Sequence, residues 1–198
     1  MAMRLQEIHP SLVHYPLALL PLSIGADLIG RATGSKAIKD LGRTTIPLAA
    51  ASAAAAAVAG LVAQEEVNAT GEARDKLVTH RNLNLGMVGA ATAMAIWRSR
   101  HEEATPGYLA LGLAGLATMM YTAYLGGNMV YEHGVGVLPA GGVRGGVSPE
   151  LTPGNMTEAA RTAAADLRQG AQTVIEETRR GELAPHVRRT AEEVETRP

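Results

Sequence analysis

The sequence predicts an all-α membrane protein: a four-helix transmembrane bundle followed by an extramembrane amphipathic helix near the C-terminus. Four long runs of the 198-residue chain, residues 8–26, 44–64, 82–97 and 104–131, contain no Asp, Glu, Lys or Arg. A helix that crosses a bilayer needs about 20 mostly apolar residues. Within the second run, residues 47–63 are apolar on all sides, whereas a helix of a soluble bundle keeps one polar face.

Each run predicts one membrane-spanning helix, so the transmembrane bundle covers residues 1–137. The four helices are expected near residues 11–30, 44–65, 77–98 and 105–131. The third run is short by itself and becomes long enough if its helix begins near Lys76. We expect the first helix to be retained and not cleaved as a signal peptide, because it carries Pro16 and Pro21 and no basic cluster precedes it. Asp27 is expected to pair with Arg31, four residues further along the same helix.

The distribution of basic residues predicts the orientation. The loops after the first and third helices hold Arg31, Lys36, Lys39, Arg43, Arg98 and Arg100, against Arg4, Arg74, Lys76 and Arg81 on the other side. Loops rich in Lys and Arg face the cytoplasm. Both termini are therefore expected on the outer side of the membrane.

The composition excludes several classes of protein. A formal net charge of −1 argues against a nucleic-acid partner, which would require a basic patch. The absence of Cys excludes disulfides, thiolate metal sites, iron–sulfur clusters and covalently attached c-type haem.

The region after the last run changes character. Residues 138–154 are rich in Gly and Pro and predict a flexible linker, and residues 155–198 predict a polar helical tail. Asn155 followed by Glu158 is typical of a capping box. The helix over residues 155–180 carries a thin apolar stripe, so it is expected to pack on this chain or on another subunit, or else to remain partly disordered. Residues 186–198 are expected to fray.

Four histidines are expected at the outer ends of the helices: His9, His14, His80 and His133. Without Cys, the cofactors that imidazole can hold are b-type haem or a histidine and carboxylate metal site. His14 and His80 have the most similar predicted depth and are the expected axial ligands of haem iron. His9 and His133 are expected as a second pair, as ligands of another metal or as proton-transfer groups.

Supporting roles are predicted for residues near these histidines, namely Asn84, Tyr15, Tyr131, Gly126 and Gly127. Glu65, Glu66 and Glu132 lie on the same side and keep a non-haem metal site open as an alternative. In the simplest alternative, the histidines only cap helix ends or contact lipid headgroups.

Three motifs carry a resemblance to a known family: IHPSLVHYPLALLPL at residues 8–22, THRNLN at 79–84 and YLGGNMVYEHGVGV at 124–137. The chain resembles the bacterial four-helix membrane proteins known as domain of unknown function 2231, over about residues 8–137. The resemblance implies that the four histidines, with Gly126, Gly127, Tyr131 and Gly134, occupy the motif positions of the family. It also implies a bacterial inner-membrane location. Some relatives are joined to c-type cytochrome domains, which fits redox work at the outer face.

Two functions are therefore expected. In the first, the chain is an electron-transfer subunit that holds b-type haem and serves a membrane redox complex. In the second, it is a cofactor-free interaction subunit that docks on other protein subunits through residues 155–180. Ion transport is the weakest hypothesis, because no acidic residue lies near the middle of any predicted helix. A redox carrier or accessory subunit is favoured over an enzyme.

Overall fold

The structure is a computed structural model that describes residues 3–144 and 149–195. Its α-helices are α1 (Ile8–Leu12), α2 (His14–Thr33), α3 (Lys36–Glu66), α4 (Gly71–Arg100), α5 (Pro106–Tyr131), α6 (Met156–Arg179) and α7 (Pro185–Glu195). Within those residues, β-structure is limited to isolated bridges between Arg4 and Glu150 and between Val67 and Val143. The all-helical prediction is confirmed.

Three helical segments are long and apolar enough to cross a membrane: Leu5–Thr33, Lys36–Glu66 and Pro106–Tyr131. The third predicted span forms as α4, but this helix does not meet the same criterion. Its first part, residues 71–82, holds five charged side chains, and the uncharged stretch covers only residues 82–97. Three of the four predicted spans are therefore supported, and the fourth stays a prediction.

The first span lacks one helical hydrogen bond near its start. Pro16 has no N–H to donate to the Leu12 carbonyl. Two helices, α1 and α2, are therefore assigned on either side of Val13, although Val13 itself has right-handed helical angles of φ −62° and ψ −21°. Leu17 N–H donates to the Val13 carbonyl over 3.1 Å, and Pro21 lies inside α2.

The chain divides into two compact units. The first consists of Met1–Pro10, Val58–Leu83 and Thr122–Pro198, and the second consists of Ser11–Ala57 and Asn84–Tyr121. Helices α3, α4 and α5 each contribute one part to each unit. The core of the second unit draws on α2, α3, α4 and α5 through Ile24, Ile46, Met94, Ala104, Tyr108 and Leu109.

A buried ion pair lies in the second unit, and it corrects the expected partner of Asp27. Asp27 Oδ1 accepts a hydrogen bond from Arg98 Nε at 3.0 Å and lies 2.9 Å from Nη2 in the ion pair, and the two side chains are 0% and 1% exposed. Arg31 instead donates to the carbonyl of Ala104 at 2.9 Å. A Cβ at Gly42 would lie 2.5 Å from Asp27 Oδ1, so a glycine in α3 makes room for the pair.

The C-terminal tail packs on the chain's own helices in the first unit. The buried side chains of Arg81 in α4 and Glu177 in α6 form an ion pair of 2.6 Å. Gly170 of α6 lies so close to α3 that a Cβ there would be 2.5 Å from the Leu61 carbonyl oxygen. The fraying expected over residues 186–198 is wrong for residues 186–195, because α7 forms there and the backbone N–H of His186 donates to Thr79 Oγ1 at 3.1 Å. The two tail helices are therefore stabilised by their contacts with α3 and α4. Residues 196–198 lie outside the described residues.

Two further expectations about the tail need correction or refinement. Asn155 is the N-cap of α6, but its side chain makes no capping hydrogen bond, so the predicted capping box does not form. The predicted linker is anchored on both sides: Asn68 N–H donates to the Gly142 carbonyl at 2.9 Å, and Leu5 N–H donates to the Pro149 carbonyl at 3.1 Å. Part of that linker, residues 145–148, lies outside the described residues.

Candidate functional site

The structure brings His9 of α1 and His80 of α4 into ring contact in the first unit. Their ring centroids are 6.3 Å apart and their planes are nearly perpendicular, at 89°. Both side chains are half-buried. Two imidazoles from different helices therefore lie in a T-shaped edge contact.

A backbone carbonyl holds the ring of His80 in place. His80 Nδ1 lies 2.8 Å from the carbonyl oxygen of Thr122, and because a carbonyl only accepts, Nδ1 carries the proton. The lone pair of the neutral ring is then on Nε2. A hydrogen bond from the second ring nitrogen to a carbonyl is what orients a metal-ligating histidine.

Glycines leave room for the two rings. A Cβ at Gly60 would lie 3.1 Å from His9 Cε1 and Nδ1, and a Cβ at Gly126 would lie 3.3 Å from His80 Cε1. Both distances are tighter than ordinary van der Waals contact. Gly126, a predicted supporting residue, therefore lies directly against the imidazole, whereas a Cβ at Gly127 would meet nothing within 4 Å.

The other two predicted histidines have different surroundings. His14 belongs to the second unit, is exposed, and has its Nδ1 3.4 Å from the Ser11 carbonyl oxygen. His133 belongs to the first unit, and its Nε2 lies 3.0 Å from Lys76 Nζ. Because an ammonium only donates, His133 Nε2 is the acceptor and its lone pair is engaged by Lys76. The pairing of His14 with His80 stays a prediction.

The remaining supporting residues are placed as follows. Asn84 lies one turn after His80 on α4, as the spacing requires, and is half-buried. Tyr131, at the end of α5, is 91% exposed. Tyr15, the alternative tyrosine, is 61% exposed and lies in α2.

Sequence reasoning missed the central position of Lys76, which it treated only as a helix start and a loop charge. Its side chain is 6% exposed, and its ammonium contacts Glu72 at 2.8 Å and Glu132 at 3.8 Å. The same ammonium donates to Asn128 Oδ1 and to His133 Nε2. The i,i+4 spacing of Glu72 and Lys76 was the available signal for part of this network.

The predicted carboxylate ligands are engaged elsewhere. Glu65 contacts Arg144 and Thr173, both at 3.5 Å, and Glu132 is near Lys76. Within residues 3–144 and 149–195, no group of three or more His, Cys, Asp or Glu side chains is placed to hold a metal ion. A closed protein site of three or four ligands is therefore not seen in those ranges.

A second carboxylate site joins the tail to the end of α3. Burial, a hydrogen bond with Glu66 and the nearby Glu66 and Glu65 charges raise the pKa of Asp166 from 3.8 to about 6, and Arg144 acts in the opposite direction. Asp166 Oδ2 is buried without a hydrogen-bond partner. The contact between α6 and α3 therefore favours a protonated carboxyl group.

A cavity of about 270 Å³ lies beside these residues in the first unit. Its charged lining consists of Glu65, Arg74, Arg81, Arg144 and Glu177. Arg74 and Arg81 both pair with Glu177, at 2.8 and 2.6 Å, and Arg144 pairs with Glu65. Arg74 also pairs with Glu182 at 2.7 Å, so three carboxylates compensate the three guanidinium groups and the cavity has no strong preference for an anion.

Comparison with known proteins decides the family. The family model described as a predicted membrane protein, domain of unknown function 2231, matches residues 6–139. The chain belongs to this family. The resemblance in the three motifs is thereby confirmed, and the chain is a predicted integral membrane protein in contact with the lipid bilayer. No curated protein and no solved structure matches the chain.

Proposed function

We propose that this member of the domain of unknown function 2231 family is a membrane electron-transfer subunit that holds one b-type haem between His9 and His80. The observation that carries the proposal is the contact of the two imidazole rings, with centroids 6.3 Å apart. His9 replaces His14 as the partner of His80, because His9 is the histidine that lies against it.

The separation of the rings is compatible with both binding one iron. A metal–imidazole bond is about 2 Å long, so His9 and His80, whose ring centroids are 6.3 Å apart, would hold the haem iron between them. The Thr122 carbonyl keeps the lone pair of neutral His80 on Nε2, as ligation requires. Gly60 and Gly126 let the two rings approach the helix backbones.

Haem suits this donor set better than a non-haem metal does. The macrocycle supplies four nitrogen ligands, so the protein needs to provide only two. A structural or catalytic zinc site needs three or four protein ligands, and the described residues offer no such group around His9 and His80. When bound, haem supplies a one-electron redox couple, while the histidines and Thr122 set its position and orientation.

The proposal includes a membrane arrangement. With α4 as the fourth span, the histidine pair lies at one end of the spanning helices, next to the charged residues 71–82. The positive-inside rule places this end on the outer side of a bacterial inner membrane, together with both termini. An electron carrier at this position serves a donor or acceptor in the extracytoplasmic space.

A reduced-minus-oxidised visible spectrum of the full chain, purified in mild detergent from haem-replete cells, tests the proposal. We expect the sharp bands of six-coordinate b-type haem, and their loss in His80→Ala. His101→Ala is the matched control, because His101 is exposed and lies in the second unit. A wild-type spectrum without haem bands contradicts the proposal.

The alternative is a cofactor-free subunit that docks on other proteins through residues 155–180. One face of α6 is already occupied by this chain, through the contacts of Gly170 with Leu61 and of Glu177 with Arg81. A second subunit would have to use the opposite face, where Ile175 is 51% exposed. The histidine pair therefore carries the stronger proposal.

A further inference from the structure

We propose that the corner between α6 and α7, residues 180–188, is seated in the lipid headgroup layer, with Leu183 and Val187 toward the acyl chains. The proposal rests on three observations from the first unit: the height of the membrane boundary, the attachment of the corner at that height, and the apolar surface that the corner leaves exposed.

The ends of the uncharged runs in α3 and α4 indicate the level of the membrane boundary along these two helices. The uncharged run of α3 ends at Gln64, and that of α4 begins just after Arg81. Arg81 Nη1 donates to Gln64 Oε1 at 3.1 Å, so the two transitions lie at the same height. An arginine and a glutamine at the end of apolar runs are typical of the membrane–water boundary.

The corner is attached to α4 at this height. Asn82 Nδ2 donates to the carbonyl oxygens of Leu183 at 2.9 Å and Glu182 at 3.2 Å. One turn earlier on α4, Thr79 Oγ1 accepts from the backbone N–H of His186 at 3.1 Å. These bonds hold the corner beside the first residues of the apolar part of α4.

The corner exposes apolar side chains where lipid is expected. Leu183 is 58% exposed and Val187 is 45% exposed, and they are four residues apart. Two residues beyond Val187, Arg189 turns toward α4 and pairs with Asp75. Val187 and Arg189 therefore occupy opposite sides of α7, since neighbours two apart on a helix point away from one another.

Basic side chains complete the surface. Arg180 and Arg188, on either side of the apolar pair, are 63% and 68% exposed, and each is in a loose i,i+4 pair with a glutamate, Glu176 at 3.5 Å and Glu192 at 3.9 Å. Arginines beside an apolar surface stabilise binding at the interface through anionic headgroups. A leucine exposed to water needs no explanation by itself, but an apolar pair flanked by arginines at the membrane boundary fits a lipid surface.

Site-directed spin labelling tests the proposal in nanodiscs of phosphatidylethanolamine and phosphatidylglycerol. The chain contains no Cys, so Leu183→Cys, Val187→Cys and the control Glu192→Cys each give a single labelling site in the full protein. Glu192 is on α7 with a side chain that is 69% exposed. The ratio of accessibility to oxygen over a water-soluble nickel complex is measured for each label.

We expect this ratio to be several-fold higher at Leu183→Cys and Val187→Cys than at Glu192→Cys, because oxygen is enriched in lipid and the nickel complex is excluded. Equal ratios at the three sites would place the corner in water and overturn the proposal. Low accessibility to both reagents, with spectral broadening between fully labelled chains, would show a second protein copy on this surface and would also overturn it.

Discussion

The buried Asp27–Arg98 pair makes the second unit sensitive to a single isosteric substitution. Asp27→Asn keeps the size of the side chain and one oxygen acceptor but removes the charge that compensates Arg98. Both side chains are 1% exposed or less, so water cannot replace the lost carboxylate. Removing one partner of a buried ion pair destabilises a protein by about 3–5 kcal/mol.

The surroundings of Arg98 set the expected magnitude near the lower end of that range. Its guanidinium keeps two other hydrogen bonds, to the carbonyls of His101 at 2.6 Å and Lys39 at 3.0 Å. We therefore expect a loss of about 3 kcal/mol in the free energy of unfolding. For a chain of this length, that loss lowers the thermal midpoint by about 6–12 °C.

The single tryptophan provides the assay. Trp97 packs against the core of the second unit, so its fluorescence on heating in detergent reports the unfolding of this unit. Asp40→Asn is the matched control, because Asp40 forms an exposed pair with Lys36 and its loss should leave the midpoint unchanged. Equal midpoints for Asp27→Asn and wild type would refute the buried ion pair.

Three other predictions concern the first unit and the orientation. Because the pKa of Asp166 is raised from 3.8 to about 6, the folded tail binds the proton more tightly than the unfolded tail, and stability is lost as the pH rises through this window. Circular dichroism melts should show the midpoint falling from about pH 4 to about pH 6 in wild type and much less in Asp166→Asn; identical profiles would contradict the assignment. Gly126→Val should push its side chain into His80 and lower haem content, measured per protein by absorbance, whereas Gly115→Val, which meets open space, should not. An alkaline phosphatase fused to the C-terminus should be active; an inactive fusion would reverse the orientation.

Hydropathy predicted the positions of the apolar parts of the helices better than it predicted where the helices begin and end. The last span was expected over residues 105–131 and forms over Pro106–Tyr131. The second was expected to begin at residue 44, but α3 begins at Lys36. Lys36, Lys39, Asp40 and Arg43 can continue a helix outside the apolar layer, so charge marks the end of a span but not the end of a helix.

Which histidines contact one another could not be predicted from the sequence. Alternation of chain direction predicted that His9, His14, His80 and His133 lie together; His9, His80 and His133 belong to the first unit, whereas His14 belongs to the second. Which rings meet depends on the rotation of each helix about its axis. His9 and His14 are five residues apart, so they lie on different sides of the first helical segment, and sequence spacing does not reveal the contact of His133 with Lys76.

In the tail, the sequence did not reveal which charged residue of α6 is buried. A stripe of apolar residues was expected to be the buried face of α6, yet the buried positions are Ala159, Gly170 and Glu177. Glu177 is buried because Arg81 and Arg74 neutralise it from α4. A long-range ion pair of this kind leaves no periodic pattern in the sequence, so hydrophobic spacing identifies only part of such a face. Of the predicted stripe, Ala163, Leu167 and Val174 are half-buried, whereas the other members are exposed.

The ratio of haem to protein in His9→Ala, measured by pyridine haemochrome beside wild type and His14→Ala, tests the central claim most directly. The contact of His9 with His80 predicts about one haem per wild-type chain, a similar ratio in His14→Ala, and almost none in His9→Ala. A His9→Ala protein that keeps the full haem content, or a wild-type protein that contains none, would contradict the proposed ligand pair.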